Sequence, residues 1–203
     1  TSVGGRGGRN EPFSMPKEGG GRATFVGLSN SGKSLLLSRA TGAKTQVGAY
    51  ALSTQEPVRG MLPFKDVLIQ LVDTPPISNP ATQGRLYGLL RNTDVFIVVV
   101  DLSMDPIAQV REVVAHLEQW GFSLLGRGEA RDEEEKWRGK PTVVVGNKAD
   151  LPEGLDGYEE LESALGDTYP VIMASAEEGV GLDELAVEVF LALGVIRVYT
   201  KSP

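Results

Sequence analysis

Arg22-Ala-Thr-Phe-Val-Gly27-Leu-Ser-Asn30-Ser-Gly32-Lys33-Ser34, followed by Leu35-Leu36-Leu37, joins a short apolar run to an apolar helical pattern through a turn of small residues. This is G-x-x-x-x-G-K-S between a strand and a helix, the setting that a phosphate-binding loop needs. Gly27 and Gly32 let the backbone bend without a Cβ in the way, so successive N–H groups can point into one concavity. The helix that follows adds the positive end of its dipole to the same anion site. Lys33 brings a mobile cation to the β- and γ-phosphates, and the Ser34 hydroxyl can bind Mg²⁺. Backbone N–H groups from Ser29 through Leu35, including those of Asn30, Ser31 and Gly32, are the expected phosphate cradle.

Length and composition bound the rest. With 203 residues the chain can bury one sizeable core and carry extensions. No apolar run approaches the ~20 residues of a membrane-spanning helix, so no membrane partner is expected. Cysteine is absent, which excludes disulfides and thiolate metal sites and is compatible with a reducing, cytoplasmic setting. A formal charge of −7 argues against a general nucleic-acid-binding surface, although a local basic patch can still exist. The first residue is Thr1 rather than Met, which reads as a processed or partial chain.

Outside the loop, strands alternate with helices. Residues 1–20 are rich in Gly with Arg6 and Arg9, and are expected to be a flexible segment; an RNA-touching arm is the alternative. Residues 35–40 should form the first helix, ended by Gly42. Two strand-like runs, 58–64 and 67–72, flank Lys65-Asp66 as an antiparallel hairpin. A Pro-rich loop follows Asp73, then a helix over about 82–91. Val95-Phe-Ile-Val-Val-Val100 is a buried parallel strand. Ile107, Val110, Val113, Val114, Leu117 and Trp120 recur at helical spacing until Gly121. The lone His116 lies on that helix, far from the phosphate loop, and is assigned a surface or packing role. Residues 126–140 are highly charged and read as a solvated insertion, with a partner contact as the alternative. A strand over 142–145, a helix over 158–165, a strand over 171–174 and an amphipathic helix over 182–193 complete the pattern. This alternation predicts a three-layer α/β fold with a mostly parallel, six-stranded sheet and one antiparallel edge strand. Ligand loops should sit at the carboxyl ends of the strands.

Those strand ends carry chemistry. Asp73 could hold Mg²⁺ through water, or simply start a turn. Asn147-Lys148-Ala149-Asp150 follows a buried strand. A carboxylate there can accept two parallel N–H bonds, which suits guanine rather than adenine. Lys148 can lay its alkyl stem over the base plane. Ser175-Ala176 can reach a base edge through backbone N–H groups.

The order of these motifs resembles translation-factor-type GTPases, and in detail the Obg family and its developmentally regulated GTP-binding (DRG-like) branch. Tyr50-Ala-Leu-Ser-Thr54-Gln-Glu-Pro57 is similar to that family's first switch, and Ile69-Gln-Leu-Val-Asp73-Thr-Pro75 to its strand into the second. Ser175-Ala176-Glu177-Glu-Gly179-Val-Gly181-Leu182 is similar to its base-edge loop. The resemblance implies a P-loop GTPase domain over residues 21–194. It also implies that residues 195–203 begin a TGS domain, truncated here. It implies GTP and GDP as ligands, slow hydrolysis used as a switch, and the ribosome or RNA as partner. Ser34 and Thr54 become direct Mg²⁺ ligands, with Ser53 as the rival of Thr54, and Asp73 acts through water. Lys33, Thr54 and Asn30 become the catalytic set, Asn30 by holding a K⁺ beside the β- and γ-phosphates. Asn147, Lys148, Asp150, Ser175 and Ala176 form the guanine pocket.

Two positions depart from the pattern. Pro76 stands where the second switch normally has a glycine whose amide meets the γ-phosphate, and proline has no N–H. Ile77 stands where many relatives have a water-orienting Gln. A nucleotide-binding scaffold with negligible hydrolysis is therefore the alternative function, and the loop over residues 74–83 is expected to be mobile.

Overall fold

The computed structural model describes residue 13, residues 15–42 and residues 56–194. The first-switch residues Ser53 and Thr54, the Gly/Arg repeats at 4–9 and the TGS-like stretch 195–203 lie outside the described residues. The described elements are β1 (Arg22–Val26), α1 (Lys33–Thr41), β2 (Val58–Phe64), β3 (Val67–Asp73), α2 (Gln83–Arg91), β4 (Val95–Asp101), α3 (Pro106–Gln119), β5 (Ser123–Leu125), β6 (Gly139–Asn147), α4 (Gly154–Leu165), β7 (Val171–Met173) and α5 (Leu182–Leu193).

The sheet runs β2-β3-β1-β4-β6, with β5 and β7 both pairing β6. All pairs are parallel except β2 with β3, the expected hairpin. Alternation along the central strands divides the core. Phe96, Val98 and Val100 of β4 face the helices α2, α3 and α4, while Val95, Ile97 and Val99 face α1 and α5. Both faces are covered, which is why β4 reads as an unbroken apolar run. The parallel β4–β6 register sets Asp101 opposite Asn147, so two strand ends meet at one rim.

Three expectations change. The sheet has seven strands rather than six, because Ser123–Leu125 pairs with Gly139–Pro141. Three residues are too short a run to show a period of two. The charged insertion is only partly solvated: residues 132–136 are exposed, but Trp137 stacks edge-on against Phe122 with centroids 6.4 Å apart. Lys140 is buried there, donating to the Thr93 carbonyl at 2.7 Å and the Arg91 carbonyl at 3.0 Å. Finally, part of the segment before residue 21 is packed. Phe13 is buried under the Arg85 guanidinium of α2, 4.1 Å from the ring centroid, and Gly20 N–H bonds the Leu68 carbonyl at 2.8 Å. Apolar Phe13 and Met15 give this stretch a surface to bury.

Candidate functional site

Five loops converge at the carboxyl ends of β1, β3, β4, β6 and β7. The first, residues 27–32, is close to its neighbours. A Cβ on Gly27 would stand 2.6 Å from the Val99 carbonyl oxygen, and one on Gly32 would stand 2.1 Å from Asn147 Nδ2. Gly32 also has φ of 92°, a left-handed conformation that a side chain rarely adopts. Ser29 and Asn30 are exposed at the tip, Asn30 with φ of 62°. Lys33, Ser34 and Leu35 open α1, so their N–H groups have no acceptor within the helix and can serve an anion. Leu35 also packs its side chain on the core. Lys33 is buried, with Nζ donating to the Leu28 carbonyl at 2.9 Å. Burial lowers its pKa from 10.5 to about 8, although the nearby Asp73 charge opposes that shift.

Ser34 Oγ donates to Asp73 Oδ2, which brings together the first turn of α1 and the end of β3. Asp73 Oδ1 is buried without a hydrogen-bond partner. Burial raises the Asp73 pKa, while Lys33 and hydrogen bonds from Ser34 and Thr74 pull the other way. A buried carboxylate oxygen with a spare lone pair beside a hydroxyl is a hard donor set, and it fits Mg²⁺. Among the described residues, no group of three or more His, Cys, Asp or Glu is arranged to hold a metal ion by itself. Ser34 and Asp73 would therefore hold the ion together with phosphate and water oxygens, the arrangement Mg²⁺ prefers.

The loop after β3 is tied down despite its prolines. Thr74 Oγ1 donates to the Phe25 carbonyl at 2.7 Å, and Ile77 N–H donates to the Gly27 carbonyl at 3.1 Å. The Ile77 side chain is buried in the core beside α2 rather than turned toward the phosphate loop. Thus the segment expected to be mobile is anchored by one apolar side chain and two hydrogen bonds, because Ile77 has a core cavity to fill.

Asn147 is 2% exposed and bridges two loops. Its Nδ2 donates to the Ser31 carbonyl at 3.0 Å, and its Oδ1 accepts from Ala176 N–H at 3.0 Å. The phosphate loop and the base-edge loop are therefore joined through one carboxamide. Asp150 is exposed, and its Oδ1 accepts from Ser175 Oγ at 2.5 Å. Lys148 has φ of 67° and its Nζ donates to Asp101 Oδ2 at 2.5 Å. Lys33, Ser34, Asp73, Asn147, Lys148, Asp150, Ser175 and Ala176 thus share one rim. His116 lies in the last turn of α3.

Asp101, and Gln109 of α3 whose side chain bonds the Asp101 N–H and carbonyl, lay outside the sequence expectations. Asp101 ends an apolar strand, as Asp73 does, and that parallel was the available signal. Gln109 gave none, because its role depends on where α3 returns.

Residues 22–148 match the family described as 50S ribosome-binding GTPase, more than half of the chain. The chain belongs to this family and is an Obg/DRG-like GTPase. Relatives include the GTPase Obg of Desulfatibacillum aliphaticivorans, 33% identical over 180 residues, covering 83% of this chain and 49% of that protein. Developmentally-regulated GTP-binding protein 1 of Xenopus laevis is 34% identical over 126 residues, covering 60% of this GTPase and 34% of the relative. The GTPase thus spans half or less of the length of these relatives. Among solved structures, the FeoB G-domain of Methanococcus jannaschii superposes with a TM-score of 0.60 at 20% identity, covering 86% of this chain and 98% of that one. At that identity the likeness establishes the shared fold of this Obg/DRG-like GTPase.

Proposed function

We propose that this chain binds GTP with Mg²⁺ and hydrolyses it slowly to GDP and phosphate, acting as a nucleotide-dependent switch in the cytoplasm. The observation that supports this best is the Asn147 bridge, which spans phosphate loop and base-edge loop and so makes one site of them. The Asp150 carboxylate beside it can accept the ring N–H and exocyclic amino group of guanine. Lys33 and the amino end of α1 meet the phosphates, and the developing negative charge in the transition state is matched by the Lys33 ammonium. Mg²⁺ held near Ser34 and Asp73 would supply further neutralisation of phosphate charge. Ser34 and Asp73 orient that neighbourhood, and Thr54 is the proposed third ligand from the first switch. Water attacks the γ-phosphorus in line, and the bond to the β–γ bridging oxygen breaks.

Calorimetry with GTP, GDP and ATP, with and without Mg²⁺, followed by single-turnover hydrolysis, tests this reading. Guanine-selective, Mg²⁺-dependent binding with measurable turnover is expected; equal affinity for ATP would reject it. A second reading, a binding scaffold without hydrolysis, is favoured by Pro76 and by Ile77 N–H pointing to Gly27 rather than to a ligand. Tight GTP binding with no phosphate release would select it. The family description supports the ribosome as partner. With a net charge of −7, such a contact would use a local surface rather than the charge of the whole domain.

A further inference from the structure

The end of β4 is built more elaborately than a strand end requires. Asp101 Oδ2 accepts from Lys148 Nζ at 2.5 Å, while its Oδ1 accepts from Ser103 N–H at 2.9 Å and Ser103 Oγ at 2.6 Å. The Asp101 backbone is gripped from both sides by one residue of α3. Its N–H donates to Gln109 Oε1 at 2.8 Å, and its carbonyl accepts from Gln109 Nε2 at 2.9 Å. Leu102 N–H closes the frame on the Asn147 carbonyl at 2.9 Å. Burial alone would raise the Asp101 pKa, but the bonds from Lys148 and Ser103 together hold it below the usual carboxylate range. The carboxylate is therefore ionised across the neutral range, and the pair is a true ion pair.

We infer that Asp101, held by Gln109, is a positioning residue that fixes Lys148 as one wall of the purine pocket. The inference rests on the guanine-nucleotide reading above. Lys148 follows Asn147 directly, and its backbone is in the left-handed region, a conformation costly for a residue with a Cβ. Free, its side chain would sample many rotamers and be ordered only on binding, a cost to affinity. Tethered at Nζ, the alkyl stem is already extended along the rim. The carboxylate also neutralises the ammonium, so that a base meets methylene groups rather than a solvated cation.

This assigns separate duties within the pocket. The Lys148 stem touches the face of the ring, which guanine and hypoxanthine share. Asp150 reads the exocyclic amino group, which hypoxanthine lacks. Asp101→Asn should therefore weaken GDP and inosine diphosphate by the same factor, about tenfold, leaving their ratio unchanged. Gln109→Leu should act in the same direction with a smaller factor.

The experiment is calorimetry of GDP and inosine diphosphate on the whole chain as wild type, Asp101→Asn, Lys148→Met and the double variant. Lys148→Met keeps an unbranched apolar stem on a partly exposed site, so it leaves the fold intact. If Asp101 acts through Lys148, the effect of Asp101→Asn disappears in the Lys148→Met background, a non-additivity that a general folding defect would not produce. An undiminished effect in that background, no effect in the wild-type background, or a changed ratio of the two nucleotides would each overturn the inference. Absence of GDP binding by the wild type would remove the nucleotide reading itself, and this inference with it.

Discussion

Replacing Asn147 by alanine separates stability from nucleotide contact in a way the structure makes quantitative. The carboxamide is buried and makes two bonds at 3.0 Å, one to the Ser31 carbonyl and one from Ala176 N–H. Ser31 and Ala176 are themselves buried. Truncation leaves one acceptor and one donor without their partner, at about 1–3 kcal/mol each. Water entering the space left by the carboxamide would recover part of this, so a net loss of about 3 kcal/mol is expected. For a chain of this size 1 kcal/mol corresponds to about 2–4 °C in Tm. The nucleotide-free variant should therefore melt about 6–12 °C below wild type by circular dichroism. GDP affinity should fall as well, since phosphate and base loops lose their common anchor. Asp150→Asn is the control: Asp150 is exposed, so affinity for GDP should fall with little change in Tm. A Tm within about 2 °C of wild type for Asn147→Ala would refute the reasoning, by showing that the bridge contributes no net stability.

Lys33 has a folded pKa of about 8 against 10.5 unfolded, so between these values the unfolded chain binds the extra proton and stability rises with pH; below about 8 the full burial penalty is present. Tm of the nucleotide-free protein should climb from pH 8 to 10, and Lys33→Met should lessen that climb; Lys140, also lowered to about 8 by burial, supplies the remainder. Gly157→Ala would set a Cβ 2.1 Å from the Leu102 carbonyl and should cost about 1–3 kcal/mol in urea unfolding. Gly84→Ala meets nothing within 4 Å on α2 and should instead stabilise by about 0.4–1 kcal/mol. Pro76→Gly should raise the GTP/GDP affinity ratio about tenfold by restoring an amide, and an unchanged ratio in calorimetry would show that another N–H serves the γ-phosphate. K⁺ should accelerate hydrolysis relative to Na⁺ at matched ionic strength, an effect lost in Asn30→Ala.

Much of the site could be read before folding was considered, and for a local reason. Gly27, Gly32, Lys33 and Ser34 act through a backbone turn and a helix start, both encoded within eight consecutive residues. Asp73 and the Asn147–Asp150 loop declare themselves by following apolar runs, because in a parallel α/β sheet strand ends are where ligands meet the chain. The layer order followed likewise from the alternation of periods. What escaped depends on contacts between distant segments. The 3.0 Å bond of Asn147 to Ser31 spans 116 residues, and Lys148 meets Asp101 across 47. Both contacts require the β4–β6 register, which hydrophobic pattern alone does not set to one residue. Ile77 and Trp137 looked like loop and surface because each is a lone apolar residue among polar neighbours. Burial was decided by a cavity formed from α2, α3 and the sheet. Local chemistry named the residues proposed to touch a nucleotide, and only the packing of the sheet decided which residues hydrogen-bond to those groups. Hydrogen bonds across a core are specified by where strands end relative to one another, not by the strands themselves.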